Sequence, residues 1–152
     1  MTDSDKSKVS YTIHIAGTPE IVWAALTDPD ILRQNWGIIH SQWTQGAAVA
    51  EVSDAGKVLW EGQVLRSEAP SRLSFTFDVP GSGEPPTEVS FELSPPLSPL
   101  APGARVVRLT VTQAGFEESS KLQAGCARAW TEILSSLKSH VETGRPLGFS
   151  WR

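Results

Sequence analysis

A chain of 152 residues, 39% hydrophobic and 20% charged, has the size and composition of one globular domain with a core of its own. Its formal net charge of −4 excludes nucleic acid or an anionic membrane as a main partner, because both need a basic face, and no apolar run is long enough for a membrane span. The polar start MTDSDKSKVS lacks a signal-peptide core and Cys126 has no second cysteine to pair with, so a reducing, cytoplasmic setting is expected.

Residues 1–7 are small, polar and charged, which reads as a disordered tail. A single domain over 8–144 follows, and 145–152 form a C-terminal tail. In VSYTIHIAG, Val9, Tyr11, Ile13 and Ile15 share one face while Ser10, Thr12 and His14 share the other. Period two with β-branched residues predicts a strand with one buried face, ended by Gly17. Next comes the same device twice. Thr18-Pro19-Glu20 and Asp28-Pro29-Asp30 each supply a capping side chain, a proline at the first helical position and an acid for the positive end of the helix dipole. Ile21, Val22, Ala25 and Leu26 make an apolar stripe, and Pro29 forces Asp28 out of the α region. The prediction is two short helices with a fixed corner, the second stopped at Gly37. Neither is long enough to stand alone.

Five strand signals follow. WTQGAAVAEVSDAG is weak. KVLWEGQVLRSEAPSR puts Val58, Trp60 and Val64 on one face. LSFTFDV does the same with Leu73, Phe75, Phe77 and Val79, and TEVSFEL with Val89, Phe91 and Leu93. ARVVRLTVTQ closes the set after SPPLSPLAPG, a proline-rich excursion that cannot lie inside a sheet. Short turns between these segments predict an antiparallel meander. From Glu118 to Thr143 the period becomes helical. Leu122, Cys126, Ala129, Trp130, Ile133, Leu134, Leu137 and Val141 recur at spacings of three and four, with Gly144 and Pro146 as the stop. Such a helix is about 39 Å long, enough to cross the sheet. Strands with helices on one face make an α+β fold.

The blocks TPEIVWAALTDPDILRQNWG, WEGQVLRSEAPSRLSFTFD, VSFEL…ARVVRLTVTQAGFEE and AWTEILSSLKSHVETG resemble the activator-of-heat-shock-ATPase branch of the START/Bet v-like (SRPBCC) superfamily. The similarity runs from about Val9 to Gly144, and the string P-E-x-V-W-x-A-L-T-D-P is its most specific part. It implies the helix-grip fold, a curved antiparallel sheet of about six strands around the long C-terminal helix, with the two short helices closing one end. It also implies an apolar cavity between sheet and helix. The chain departs from the family pattern at Ala129-Trp130, where Gly-Trp is usual, in the short GIIHSQW segment, and in the long SPPLSPLAPG loop.

No reaction chemistry is written plainly. His14, His40 and His140 lie far apart with no metal-ligand spacing, so no metal site is expected. PGSGEPP leads into a strand rather than a helix, so it is no phosphate loop, and no cofactor is implied. Cys126 lies on an apolar stripe and reads as a small hydrophobe. Glu61 alternates with Trp60 and faces solvent. Glu20 and Asp28 are spent on capping, and Arg66, Arg72, Arg105 and Arg108 are solvated. Six tryptophans against one tyrosine are the stronger lead. They either fill a core or wall a pocket, and periodicity does not choose between the two.

The cavity-lining candidates are Tyr11, Trp36, Trp43, Trp60, Phe75, Phe77, Phe91, Cys126, Trp130 and Ile133, with indole N–H groups, Tyr11 or Gln63 as polar anchors. Trp23 is expected to fix the first helix to the fold and Trp36 to stand at the cavity mouth. The expected function is non-enzymatic binding of a small hydrophobic or amphipathic ligand. Two alternatives come with the resemblance. One is a chaperone-ATPase-stimulating partner module. The other is a cyclase- or hydrolase-type enzyme, which needs a polar group inside the cavity. A homodimer through an exposed sheet face or edge is the remaining partner expectation.

Overall fold

The computed structural model describes residues 6–150. The elements run β1 (Lys8–Ala16), α1 (Pro19–Thr27), α2 (Pro29–Asn35), β2 (Ile38–Ser41), β3 (Ala48–Val52), β4 (Val58–Glu68), β5 (Arg72–Phe77), β6 (Thr87–Ser94), β7 (Val106–Ala114) and α3 (Gln123–Thr143). All strands join one curved antiparallel sheet in the order β1-β7-β6-β5-β4-β3-β2, with α3 packed on it: the helix-grip arrangement. The meander from β2 to β7 is therefore extended by β1, which returns to pair with the last strand.

The register explains why one face is apolar. Across the sheet Val9 lies opposite Gln113, which lies opposite Val89, then Phe75, then Val64. The next inward row is Tyr11, Val111, Phe91 and Leu73. The outward rows between them are polar. Thr12 and Thr110 hydroxyls lie 2.9 Å apart, and Arg72 pairs with Glu92 at 3.3 Å. A slip of one residue would exchange these faces, so the hydrophobic pattern specifies the pairing. In β7 the inward set is Val107, Leu109, Val111 and Gln113, all buried. At Gly62, β4 lies so close to β5 that a Cβ would overlap the Thr76 carbonyl.

The corner between the short helices forms as the caps demand. The Thr18 hydroxyl accepts from the Ile21 N–H. Asp28 ends α1, its N–H donating to the Ala24 carbonyl, and begins α2, its Oδ1 accepting from Asp30 and Ile31 at 2.9 and 3.2 Å. A single extended residue thus turns the chain between two helices. Asn35, fully buried, then binds α2 to α3: its amide N–H groups donate to Ile31 O and His140 Nδ1, and its carbonyl accepts from Ser136 Oγ. Trp23 is half-buried and packs against the core.

Two details differ from the periodicity. The sheet has seven strands, because Ile38–Ser41 within the short GIIHSQW segment pairs with β3. Four residues are too few to show an alternation. The helix α3 begins at Gln123, five residues later than the span expected from Glu118, and is about 31 Å long. Glu84, from the loop before β6, accepts from the Ser120 hydroxyl and the Lys121 N–H, and Ser120 Oγ accepts from the Leu122 and Gln123 N–H groups. These bonds hold 120–122 as a turn. Finally, residues 1–5 of the expected N-terminal tail lie outside the described residues, as do 151–152 of the C-terminal one. Of the flanking residues, Ser7 O accepts from the Gly115 and Phe116 N–H groups, and the Leu147 N–H donates to Ser136 Oγ.

Candidate functional site

Inward parity brings the large side chains of β4, β5, α2 and α3 to one place. On α3, Cys126, Ala129, Trp130 and Ile133 follow each other at three, one and three residues, so they share a face directed at the sheet. Opposite them stand Trp60 of β4 and Phe77 of β5. Trp36, which ends α2, enters from the side. Between them is a cavity of about 150 Å³, its remaining wall formed by Glu51 of β3 and Gln113 of β7.

The aromatic rings form a connected cluster. Trp60 stacks on Phe77 with centroids 4.7 Å apart, on Phe75 at 5.4 Å and on Trp36 at 5.8 Å. Trp36 meets Trp130 edge-on at 5.1 Å and an interplanar angle of 73°. Trp36, Trp60 and Trp130 are buried, whereas Phe77, Cys126 and Ala129 are half-buried, so the cavity opens on their side.

The two deepest indoles have polar partners. The Trp60 Nε1–H donates to Glu51 Oε1 at 2.8 Å, and the Trp130 Nε1–H donates to Gln113 Oε1, also at 2.8 Å. Gln113 Nε2 donates onward to Thr87 Oγ1 at 2.9 Å, and the Thr87 hydroxyl donates to the Phe77 carbonyl. Glu51 is 9% exposed, and a Cβ on Gly37 would overlap its carboxylate. The glycine after Trp36 is thus what lets a carboxylate sit in this wall. Burial pushes the Cys126 thiol above its ordinary range, against a hydrogen bond with Gln113 that acts the other way. The group stays a thiol at neutral pH and is a weak nucleophile.

The ten residues singled out by the sequence divide. Trp36, Trp60, Phe77, Cys126, Trp130 and Ile133 wall the cavity. Phe75 and Phe91 are fully buried behind it, Tyr11 packs against the core from β1, and Trp43 lines a separate surface hollow with Ile39 and Ala47. Trp36 is not at the mouth. It is 7% exposed and touches Trp60, Phe75, Phe91 and Trp130, because its position at the end of α2 drives the ring into the core. The anchors also differ. The Trp60 and Trp130 N–H groups are already bonded to Glu51 and Gln113, and Gln63 is exposed on the outer face of β4. Glu51, Gln113 and Ala129 complete the wall. Strand parity carries the signal for the first two, since Glu51 alternates in phase with Val49, and Gln113 with Val107, Leu109 and Val111. The cavity therefore does contain polar groups, including a carboxylate.

Among the described residues no group of three or more His, Cys, Asp and Glu is arranged to hold a metal ion, and no helix is long and apolar enough to cross a membrane. His14 and His40 are exposed on separate strands, and His140 is bonded to Asn35.

Solved structures share this architecture. Protein MLL2253 from Mesorhizobium loti superposes with a TM-score of 0.76 at 22% identity, covering 89% of this chain and 96% of that one. DynU16, described as a putative protein in the dynemicin biosynthetic locus, gives 0.79 at 24% identity over 97% of this chain, which matches 51% of its length. The Aha1 dimer from Colwellia psychrerythraea, solved in solution, gives 0.70 at 23% identity, covering 90% of this chain and 97% of that one. At these identities the likeness shows the fold. No curated protein matches the sequence. Over residues 16–142, from the end of β1 to the last turn of α3, the sequence matches the family of the Activator of Hsp90 ATPase homolog 1-like protein, and the chain belongs to that family.

Proposed function

We propose that the protein binds a small apolar or amphipathic molecule in the cavity between the sheet and α3. The observation that carries this reading is a void of about 150 Å³ walled by Trp36, Trp60, Phe77, Trp130 and Ile133, with Glu51 and Gln113 as polar members of its lining. Ligand sites combine an apolar lining with a few placed polar groups in this way. A void of this size accepts a benzene-sized guest without rearrangement. A larger ligand enters only if the half-buried side at Phe77 and Cys126 opens.

Tryptophan fluorescence tests the reading, because three of the six indoles face or border the void. Native mass spectrometry of freshly purified protein, followed by titration with a panel of small aromatic and branched aliphatic compounds, is expected to give a bound mass and a saturable change in emission. A flat response across the panel overturns the proposal.

A second reading draws on Glu51. A carboxylate in a mainly apolar cavity lining is a group capable of acid–base work, and it supplies the polar element that a cyclase- or hydrolase-type enzyme needs. Turnover of a bound compound that Glu51→Gln abolishes, with binding retained, separates this reading from simple binding. The chaperone-partner alternative rests on the family's description alone. The lone thiol of Cys126 fits a reducing compartment such as the cytoplasm, and self-association through the sheet edges at β1 or β2 is tested by sedimentation.

A further inference from the structure

We infer that Ala129 is the specificity-determining residue of this cavity, and that the guest it admits is a single aromatic ring carrying a compact alkyl group. This rests on the cavity being a ligand site and adds its size limit and the residue that imposes it. A void of about 150 Å³ has room for one ring of benzene size. Trp36, Trp60 and Trp130 are buried, so a guest with more carbons extends toward the half-buried side, where Phe77, Cys126 and Ala129 stand.

The other wall residues are held in place. Trp60 stacks on Phe77 and Trp36 and donates to Glu51, while Trp130 meets Trp36 edge-on and donates to Gln113. Gln113 donates onward to Thr87 and shares a hydrogen bond with the Cys126 thiol. Moving any of these breaks a ring contact or strands a buried polar group, and both are costly. Ile133 is 6% exposed and belongs to the core. Ala129 differs. Its side chain is one methyl group, which makes no hydrogen bond, on the void-facing side of α3 and on the half-buried side of the cavity. It lies inside the helix, where glycine and valine fit the backbone at small cost. A change of size at this position therefore alters the void and breaks no bond elsewhere. The fixed neighbours shift little to admit extra carbons, because a packed interior resists them. One carbon too many or too few in such a pocket changes affinity by about tenfold.

The test uses the full chain and a series in which carbons are added one at a time at one ring position: benzene, toluene, ethylbenzene, isopropylbenzene and tert-butylbenzene. Affinity is read from tryptophan emission. It is expected to reach a maximum within the series and to fall about tenfold at the next member. Ala129→Gly removes one carbon from the wall and is expected to move the maximum to a bulkier member. Ala129→Val adds two and is expected to move it to a smaller one. A merely structural effect weakens all members alike and leaves the maximum where it was. In the unmodified protein, a nuclear Overhauser contact between the Ala129 methyl and the alkyl group of the bound guest is expected, and this reading holds even where a variant fails to fold. If the maximum stays in place in both folded variants, or if that contact is absent, the inference is overturned and the cavity reading stands. The same follows if no member of the series binds while a branched aliphatic compound does. If neither the series nor the aliphatic compounds bind, both are overturned.

Discussion

Gln113 is fully buried in a β-strand, and its side chain is spent on partners: Trp130 on its oxygen, and Thr87 on its nitrogen. A buried polar group in such a relay is nearly neutral while paired and costly once orphaned. Replacing Gln113 by Leu strands the Trp130 N–H, and the expected loss is about 1–3 kcal/mol in a denaturant titration. Adding Trp130→Phe removes the stranded donor, so the double variant is expected to lose less than the sum of the two single changes. Additive losses would show that the relay contributes nothing as a unit. At this scale the sequence was half legible. Strand alternation puts Gln113 and Glu51 inward, yet that an indole waits opposite each of them depends on residues 17 and 9 positions away.

The helix α3 is tied at both ends through carboxylates, Glu84 from the loop before β6 and its own Glu142. At its start Glu84 accepts from Ser120 and Lys121, and near its end Glu142 accepts from Lys138 Nζ and the Ala16 N–H at 2.7 Å each. The Ser120 hydroxyl holds the Glu84 carboxyl below the ordinary value of 4.5, and Lys138 does the same for Glu142. A carboxylate with a lowered folded value contributes stability that is fully present above the unfolded value and is lost as pH falls through the folded one. Stability is therefore expected to stay level through neutral pH and to fall below about 4.5. Thermal melts across that range check it, and Glu84→Gln with Glu142→Gln should flatten the acid limb. Glu142 is exposed and Glu84 half-buried, so solvent screens the effect and the change is modest. The corner of the short helices offers a second test. Asp28→Ala removes the acceptor of two N–H groups and is expected to cost about 1 kcal/mol, measured by chemical unfolding. The capping residues and the proline spacing made this corner legible, because a cap acts within three residues. The true start of α3 was not, because the Glu84–Ser120 bond joins positions 36 residues apart.

In the whole molecule the first strand pairs with the last, Ile13 opposite Leu109, so the sheet closes only when nearly the entire chain is in place. One core joins α1, α2, the sheet and α3. Such a core should melt as one unit. Leu134, fully buried on α3, is the place to probe it. Leu134→Ala is expected to lose about 2–5 kcal/mol, with helix signal and tryptophan emission failing in one coincident transition. Separate transitions would mean that α3 is a detachable layer. By itself the sequence determined the elements and their inward faces: the two capped helices, the alternating strands, the apolar stripe of α3 and its Gly144 stop. These are decisions of period and capping, made over a few residues. Only the tertiary structure decided that Trp36 lies in the middle of the aromatic cluster, that Glu51 and Gln113 hold the indoles, and that a void remains beside them. Periodicity says which face of an element is buried. How closely two buried faces meet depends on the shapes of side chains brought together from distant parts of the chain, and a cavity is what remains where those shapes do not fill the space.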